Sequence, residues 1–284
     1  MADFLSERTA VMSYTYHRFS MDYFLRSMEA LGIRNIDLWT GTPQFCSLYN
    51  TTDEAEALGR EFSRRGFRIV STTPEIVGYP FNLASADAAL RAFSLNYAKK
   101  AIRDAAAMGS PLMLISSGYG LFDEPAEEAF QRSAQSLREA AEAAAREGVA
   151  LVLEHLTRLT ANLINSLDAL DRMLRLVGHP ALKAVIDVGQ MSVFGETIPA
   201  YFERLGAGAI RHMHVMDGRP GAHLAFGDGI LPVGQYIRQA LEAGYGGYFA
   251  MELNDRCNME DPHAAHERSV NLLKTWLADG TIEY

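Results

Sequence analysis

The sequence predicts an α/β protein built as a single closed (β/α)8 barrel that spans residues 1–284. Two observations carry this prediction. Short apolar segments alternate with amphipathic segments of helical periodicity, and such alternation is typical of a parallel sheet covered by helices. Eight strand–helix units follow one another in the 284 residues, and this number and length are typical of a barrel that forms one large domain.

Eight segments are predicted as strands because most of their residues are apolar and turn-forming residues or helical patterns bound them. In chain order they are Ala10–Tyr14, Asn35–Trp39, Phe67–Thr72, Pro111–Ser116, Val149–Leu153, Leu182–Ile186, Ala209–Met213 and Tyr248–Met251.

Each strand is followed by a segment predicted as a helix. In chain order these are Ser20–Leu31, Thr51–Gly66, Ser85–Met108, Glu124–Arg146, Ser166–Val177, Pro199–Leu205, Val233–Ala243 and His263–Ala278. Ser20 and the Thr51-x-x-Glu54 capping-box pattern indicate where two helices begin. Gly32 and Gly148 indicate where two helices end.

A doubly wound open sheet is the alternative fold for this alternation of strands and helices. It fits less well because no glycine-rich phosphate-binding turn follows the first strand. The segment 117–120 after the fourth strand, SGYG, indicates only a flexible loop.

The composition limits the classes of partner. The net charge of −9 disfavours nucleic acid, because phosphate binding needs a basic surface. Two cysteines, Cys46 and Cys257, are too few for a disulfide framework and fit a reducing compartment. Asp3 and Glu7 stand where a signal peptide would be apolar, and no apolar run is long enough to span a membrane. We therefore expect a soluble, cytoplasmic protein without a membrane or nucleic-acid partner.

Four consecutive predicted strands end in a residue that can bind a metal ion. Glu154, Asp187, His214 and Glu252 follow the fifth to eighth strands at intervals of 27 to 38 residues, about one strand–helix unit each. Because a barrel places its active site at the carboxyl ends of its strands, we expect these four side chains to converge.

Three converging carboxylates repel one another strongly unless a cation lies between them. Three oxygen ligands and one imidazole favour a hard or borderline divalent ion, with Mn²⁺ first and Mg²⁺, Co²⁺, Zn²⁺ or Ni²⁺ as alternatives. Ordinary explanations exist for single residues, since Asp187 is able to cap a turn and Glu252 to pair with Arg256. Four such residues in succession favour the metal site.

The segment 210–232 adds further polar groups next to the seventh strand. His212 and His214 point to the same face of an extended chain, and Asp217 and His223 follow in a glycine-rich loop. We expect His212 to support the site rather than to bind the metal, and Asp217 to orient a nearby histidine. Two carboxylates beside a metal ion suit proton transfer next to a carbonyl group, with one Glu removing the C3 proton of a ketose and another returning a proton on the opposite face.

At these residues the chain resembles the sugar-phosphate isomerase/epimerase family with the xylose-isomerase-like TIM barrel, and within it the ketose 3-epimerases. The matching segments are LEHL with Glu154, IDVGQ with Asp187, HMH with His214 and MEL with Glu252. The resemblance implies that these four residues hold the metal ion, that the two Glu residues form the proton-transfer pair, and that the chain forms a homo-oligomer, a dimer or a tetramer.

Three further segments resemble the fructoselysine 3-epimerases more closely: TPEIVGYPFN at residues 73–82, LWTGTP at residues 38–43 and LIS at residues 114–116. Two positions depart from the tagatose/allulose 3-epimerases, which often carry His where this chain has Gln190 and Glu where it has Thr160. Both positions usually help to hold the sugar, so the departures disfavour a standard free ketose.

Seven residues near the predicted strand ends are candidate substrate contacts: His17, Trp39, Glu75, Asn82, Gln190, Arg219 and His223. Alternatives stay open for most of them. His17 also fits an exposed loop, Trp39 the core, and Arg219 a solvated loop. Glu75 and Asn82 also fit a role in organising their loop.

The sequence therefore predicts a divalent-metal-dependent isomerase that inverts C3 of a fructoselysine-like ketose, a small-molecule sugar substrate. A D-tagatose/D-allulose 3-epimerase or an aldose–ketose sugar isomerase is the alternative within the class. A C-glycoside-cleaving lyase subunit is the alternative of another class, and it would need a partner protein. An endonuclease of the related barrel fold and a sugar-binding barrel without activity fit less well, the first because of the negative charge and the second because Glu154 and Glu252 are present.

Overall fold

In a computed structural model that describes residues 2–284, eight strands pair in chain order and close into a barrel. The strands are β1 (Thr9–Met12), β2 (Asn35–Thr40), β3 (Arg68–Pro74), β4 (Leu112–Ile115), β5 (Ala150–Leu153), β6 (Leu182–Asp187), β7 (Ile210–Val215) and β8 (Tyr248–Met251). The predicted parallel (β/α)8 barrel is confirmed, and the doubly wound alternative is wrong because β1 pairs in parallel with β8.

The helices that follow the strands lie close to their predicted positions. The α-helices are α1 (Ala2–Arg8), α2 (Met21–Leu31), α3 (Thr52–Arg64), α4 (Ala88–Ala107), α5 (Ala126–Glu147), α6 (Leu167–Val177), α7 (Val188–Val193), α8 (Ile198–Leu205), α9 (Val233–Glu242) and α10 (Pro262–Ala278). Two 3₁₀ segments, Ser13–Tyr16 and Arg256–Asn258, lie after β1 and β8. The helices α1 and α7 were not predicted, because they are too short to show a helical period of apolar residues.

Seven of the eight strands differ from their predicted bounds by one or two residues at an end, and two of these differences affect the region of the site. The first strand ends at Met12, not at Tyr14, because a 3₁₀ turn begins at Ser13. The Ser13 hydroxyl accepts a hydrogen bond from the backbone N–H of Trp39, so this residue joins β1 to the adjacent strand through its side chain. The seventh strand continues to Val215, which places His214 inside the strand and not after it.

Local capping follows the predicted signals. Ser20 accepts a hydrogen bond from the backbone of Tyr23 at the start of α2, and Thr51 and Glu54 form the complete capping box of α3. Gly32 ends α2 with a φ of 75°, a left-handed conformation that a residue with a Cβ adopts at a steric cost.

The chain divides into two compact units. The first contains Met1–Trp39, Gly66–Val70 and Ile186–Tyr284, and the second contains Thr40–Arg65 and Ser71–Val185. In the first unit β1 and β7 both pair with β8, and in the second β4 pairs with β5. The prediction that residues 1–284 form one domain stays a prediction.

Apolar side chains fill the strands, as both faces of a parallel sheet require. Leu112, Leu114, Val152 and Val185 form one buried cluster, and every residue of β2 is buried. Both cysteines are free thiols. Among residues 2–284, none of the helices combines the length and the apolar character that a bilayer crossing requires.

Candidate metal centre

The four side chains predicted as metal ligands come together. Glu154, Asp187, His214 and Glu252 are all buried, and each offers a ligand atom that lies within 4.8 Å of the ligand atoms of the others. Polar residues with this degree of burial need partners or a cation, because removing charge from water is costly. The cluster therefore has the composition and the spacing of a candidate divalent-metal site.

The ends of the strands position these ligands. Asp187 is the last residue of β6, His214 is the fifth of the six residues of β7, and Glu252 follows β8 directly. The backbone N–H of Glu252 donates to the carbonyl of Val215 at 3.2 Å, which continues the pairing of β7 with β8 past the end of the strand. The backbone N–H of Glu154 donates to Ile115 in the same way.

The two oxygens of Asp187 have different partners. Oδ1 accepts a hydrogen bond from the backbone N–H of Gln190 at 2.8 Å and so caps α7. Oδ2 lies 3.3 Å from His223 Nε2 and 4.0 Å from His214 Nδ1. Burial opposes the ionisation of Asp187, but the neighbouring His223 and His214 outweigh it and hold the pKa of the carboxyl below its usual range. Asp187 therefore caps α7 with one oxygen and faces the ligand cluster with the other, so the capping role suggested by the sequence does not exclude a role as a ligand.

One carboxylate oxygen of Glu252 accepts a hydrogen bond, and the other oxygen points toward the cluster. Asn254 Nδ2 donates to Oε1 at 2.7 Å. Oε2 lies 2.9 Å from His214 Nδ1 and 3.7 Å from His223 Nε2, yet among the described residues it is buried and accepts no hydrogen bond. A buried carboxylate oxygen without a hydrogen-bond donor requires an explanation such as an ion. The donor set of three carboxylates and one imidazole fits a divalent cation at this point.

A second buried group lies behind His214. Asp37 Oδ2 is 2.8 Å from His212 Nε2 and 3.0 Å from His214 Nε2, and none of the three side chains is exposed to solvent. Burial raises the pKa of Asp37, but its hydrogen bonds to both histidines prevail and hold that pKa well below its usual range. Burial also lowers the pKa of His212. Each of these three residues also offers a ligand atom that lies within 4.8 Å of the ligand atoms of the other two.

Asp217 organises the loop that follows β7. Its carboxylate accepts hydrogen bonds from three backbone N–H groups, those of Gly218 at 2.7 Å, Gly227 at 2.9 Å and Leu231 at 2.9 Å. The loop between these amides carries His223, whose ring reaches Asp187. Asp217 therefore orients His223 indirectly, by holding the loop backbone.

An aromatic group lies after β1 and at the end of β2. The rings of Tyr14 and His17 stack with centroids 4.9 Å apart, and Trp39 meets Tyr14 edge-on at 5.0 Å. His17 is half-buried, whereas Trp39 is buried. Trp39 thus packs within this aromatic group. Contact of His17 or Trp39 with a substrate stays a prediction.

The remaining candidate substrate contacts differ in environment. Asn82 is buried and uses its amide on loop backbone, accepting from Ala84 and Tyr119 and donating to Tyr119, so it organises the loops after β3 and β4. Glu75 and Arg219 are exposed, and Gln190 is buried in α7. Substrate contact by Asn82, Glu75, Arg219, Gln190 and His223 stays a prediction.

Sequence reasoning missed two polar residues that support the cluster. Asn254 lies two positions after Glu252, and its sequence context, LND, carries no signal beyond a loop. Asp37 is the only charged residue in the predicted strand NIDLW, and a charge inside a buried strand is the signal that was available. Its partners lie 175 and 177 residues away, so the pattern alone did not identify them.

The family model described as a xylose isomerase-like TIM barrel matches residues 25–276. The chain belongs to this family. The fold and the buried ligand cluster described above agree with that membership.

Two relatives whose activity is named share less than 30% of the aligned residues with this chain. The chain is 29% identical to a fructoselysine 3-epimerase of Shigella flexneri over 251 residues, which cover 87% of this chain and 90% of the relative. It is 27% identical to an L-ribulose-5-phosphate 3-epimerase of Shigella sonnei over 206 residues, 72% of this chain and 71% of the relative. A solved L-ribulose 3-epimerase superimposes with a TM-score of 0.80 at 18% identity and covers 96% of this chain and 95% of its own, which shows the shared fold.

Proposed function

We propose that this protein is a divalent-metal-dependent epimerase that inverts C3 of a ketose, with a fructoselysine-like sugar as the leading substrate. The cluster of Glu154, Asp187, His214 and Glu252 carries the proposal, because it combines four ligands with two glutamates suited to proton transfer. The relationship to a fructoselysine 3-epimerase and to an L-ribulose-5-phosphate 3-epimerase supports the reaction class.

In this proposal the four clustered residues hold one divalent ion, for which Mn²⁺ is the leading candidate. When bound, such an ion supplies positive charge that makes the hydrogen next to a ketose carbonyl more acidic. Asp187 contributes Oδ2, because its other oxygen caps α7. Glu252 contributes Oε2, because Asn254 holds Oε1.

The two glutamates carry the proton transfer. One carboxylate removes the proton from C3, and the electron pair of the broken C–H bond moves toward the C2 carbonyl to form an enediolate. The second, protonated glutamate returns a proton to the opposite face of C3, the carbonyl forms again, and the configuration is inverted. Glu154 follows β5 and Glu252 follows β8, so two different strands deliver the pair. Neither a nicotinamide nor a covalent intermediate is required.

The loops after the strands are proposed to hold the sugar and its substituent. His17 and Trp39 would contact the sugar with their ring faces, while Gln190, Arg219 and His223 would bind its hydroxyl groups. Glu75 would bind an amine on the substituent, and Asn82 would shape the same loop. We further propose a cytoplasmic homo-oligomer, a dimer or a tetramer.

A deuterium wash-in experiment tests this function. The Mn²⁺-loaded protein is incubated in D₂O with fructoselysine, allulose, fructose, tagatose, L-ribulose or L-ribulose 5-phosphate, and each carbon is followed by NMR. We expect metal-dependent exchange at C3, fastest with fructoselysine. Exchange at C1 alone would identify an aldose–ketose isomerase. Absence of exchange with every sugar would contradict the proposal and favour a lyase that depends on a partner subunit.

A further inference from the structure

We propose that Asp37 is a positioning residue that fixes the ring of His214 so that Nδ1, and not Nε2, is presented to the metal ion. This inference rests on the proposed function, since it assumes that the cluster around His214 holds a cation. Asp37 belongs to β2, whereas His214 belongs to β7. The two residues are far apart in the sequence, so only the tertiary structure brings them into contact.

The hydrogen bonds determine which nitrogen carries the proton. Asp37 Oδ2 lies 2.8 Å from His212 Nε2 and 3.0 Å from His214 Nε2, and all three side chains are fully buried. A carboxylate oxygen only accepts hydrogen bonds, so both Nε2 atoms must be donors. A neutral imidazole that carries its proton on Nε2 has its lone pair on Nδ1. Asp37 thus selects the same tautomer in both rings.

The orientation of His214 makes this tautomer useful. Its Nδ1 faces the cluster, 2.9 Å from Glu252 Oε2 and 4.0 Å from Asp187 Oδ2. A lone pair at this position is what a metal ligand must present. The negative charge of Asp37 on the opposite side of the ring also increases the basicity of Nδ1, and carboxylates in this relation to a histidine ligand strengthen metal binding.

His212 completes the arrangement from the other side of Asp37. It lies two residues before His214 on the same face of β7, and the two rings meet nearly edge-on with centroids 5.2 Å apart. His212 Nδ1 is buried and has no hydrogen-bond partner among the described residues, so this ring makes its polar contact through Nε2. His212 therefore orients the shared oxygen of Asp37 and holds it against His214.

The protonation of the two rings is measured first, in the metal-free full-length chain. We expect long-range ¹⁵N–¹H NMR spectra to show both His212 and His214 with the proton on Nε2. In the Asp37→Ala variant we expect His214 to become a mixture of tautomers. Asn35→Ala is the matched control, because Asn35 is also buried on β2, two residues away, but binds the backbone of Ser6 and Thr9 instead.

The second measurement is metal affinity. Each variant is titrated with Mn²⁺, and the concentration of free Mn²⁺ is measured by electron paramagnetic resonance. We expect Asp37→Ala to weaken binding about 10- to 100-fold, the range found when such supporting carboxylates are removed. Asp37→Asn keeps an oxygen of similar position but loses the charge, so we expect a smaller loss. Asn35→Ala should lower the unfolding temperature and leave the affinity within about twofold of the wild type.

Three results would overturn the inference. One is a His214 whose Nε2 carries no proton in the metal-free wild type. Another is an unchanged affinity in a folded Asp37→Ala or Asp37→Asn variant. The third is a second equivalent of Mn²⁺ that disappears in these variants, because it would make Asp37, His212 and His214 a metal site of their own. If the wild type binds no Mn²⁺, the proposed function fails, whereas the NMR measurement on the metal-free chain still decides the role of Asp37 in the tautomer.

Discussion

His214 Nδ1 and Glu252 Oε2 lie 2.9 Å apart at the ends of two adjacent strands. The pairing of β7 with β8 sets this distance, since His214 aligns with Ala250 and Val215 aligns with Met251. Glu252 follows as the next residue, and its backbone N–H is bound to Val215. The short distance between these two candidate ligand atoms is therefore a consequence of strand register.

Replacing either glutamate should remove proton transfer and leave the fold intact. We expect Glu154→Gln and Glu252→Gln to lower C3 exchange by about 10²- to 10⁴-fold, because an amide of the same shape neither accepts nor returns the proton. NMR of the deuterium exchange measures the effect. Glu203→Gln on the exposed side of α8 is the control and should exchange at the wild-type rate. Full activity in either site variant would remove that carboxylate from the mechanism.

Replacing Asn254 should lower kcat, because Asn254 orients the carboxylate of Glu252. In Asn254→Ala the 2.7 Å hydrogen bond to Oε1 is lost, and the carboxylate is free to rotate away from His214. Hydrogen bonds to charged groups contribute about 1.5–3 kcal/mol, so we expect kcat to fall about 10- to 100-fold. Steady-state kinetics compares this variant with Asn271→Ala, an exposed asparagine of α10. Equal kcat values in the two variants would show that Glu252 holds its orientation without Asn254.

A divalent ion should stabilise the folded chain. Binding to the native state alone raises the free energy of unfolding by about 2.7 kcal/mol when the ion is present at 100 times its Kd. We expect the unfolding temperature to rise with Mn²⁺ and to return to its starting value with a chelator. Asp187→Asn should abolish the rise, since it removes the charge from a ligand. An equal rise in the Asn variant would place the stabilising ion elsewhere.

The loop after β7 should depend on a small residue at position 229. A Cβ on Gly229 would lie 2.4 Å from Asp217 Oδ1 and from the backbone nitrogen of Gly218. We expect Gly229→Ala to lower the free energy of unfolding by about 1–3 kcal/mol and to raise KM, because the loop that carries His223 must shift. Gly246→Ala is the control, as no atom lies within 4 Å of its Cβ position. Urea unfolding and kinetics should separate the two variants, and matching results would refute the steric account.

Acid should destabilise the chain partly through His266. Burial, with a smaller contribution from the nearby His263, lowers the pKa of His266 from 6.5 to about 4, even though the carbonyl of Pro262 accepts a hydrogen bond from Nδ1. The folded state thus favours the neutral ring. The contribution of this neutral ring to the free energy of unfolding is therefore fully present above pH 6.5 and is lost as the pH falls toward about 4. The loss amounts to about 3 kcal/mol at 1.36 kcal/mol per pKa unit.

Replacing this ring by a non-titrating one tests the pH dependence. His266→Phe keeps a ring against Tyr16, whose centroid lies 5.3 Å away, and removes the titration. We expect the free energy of unfolding, measured with urea at pH 7 and pH 5, to fall less with acid in this variant than in the wild type. An identical decrease in both proteins would assign the acid sensitivity to other groups.

Patterns in the sequence predicted most elements because those elements depend on neighbouring residues. The capping box of Thr51 and Glu54 and the left-handed Gly32 appear in the structure as expected. The same locality explains the misses. The six residues of α7 follow Asp187 without a break, so no change of period separated them from β6. Ser13 begins a 3₁₀ turn where the apolar pattern alone predicts a longer strand.

The sequence by itself determined which residues stand at the strand ends, and so it predicted Glu154, Asp187, His214 and Glu252 as a set. Only the tertiary structure decided how individual atoms are used. It directs one oxygen of Asp187 to α7 and the other to the cluster, and it places Asp37 behind His214 across 177 residues of chain. The physical reason is that strand periodicity is local, whereas burial requires each polar atom to find a partner wherever the closed barrel brings one.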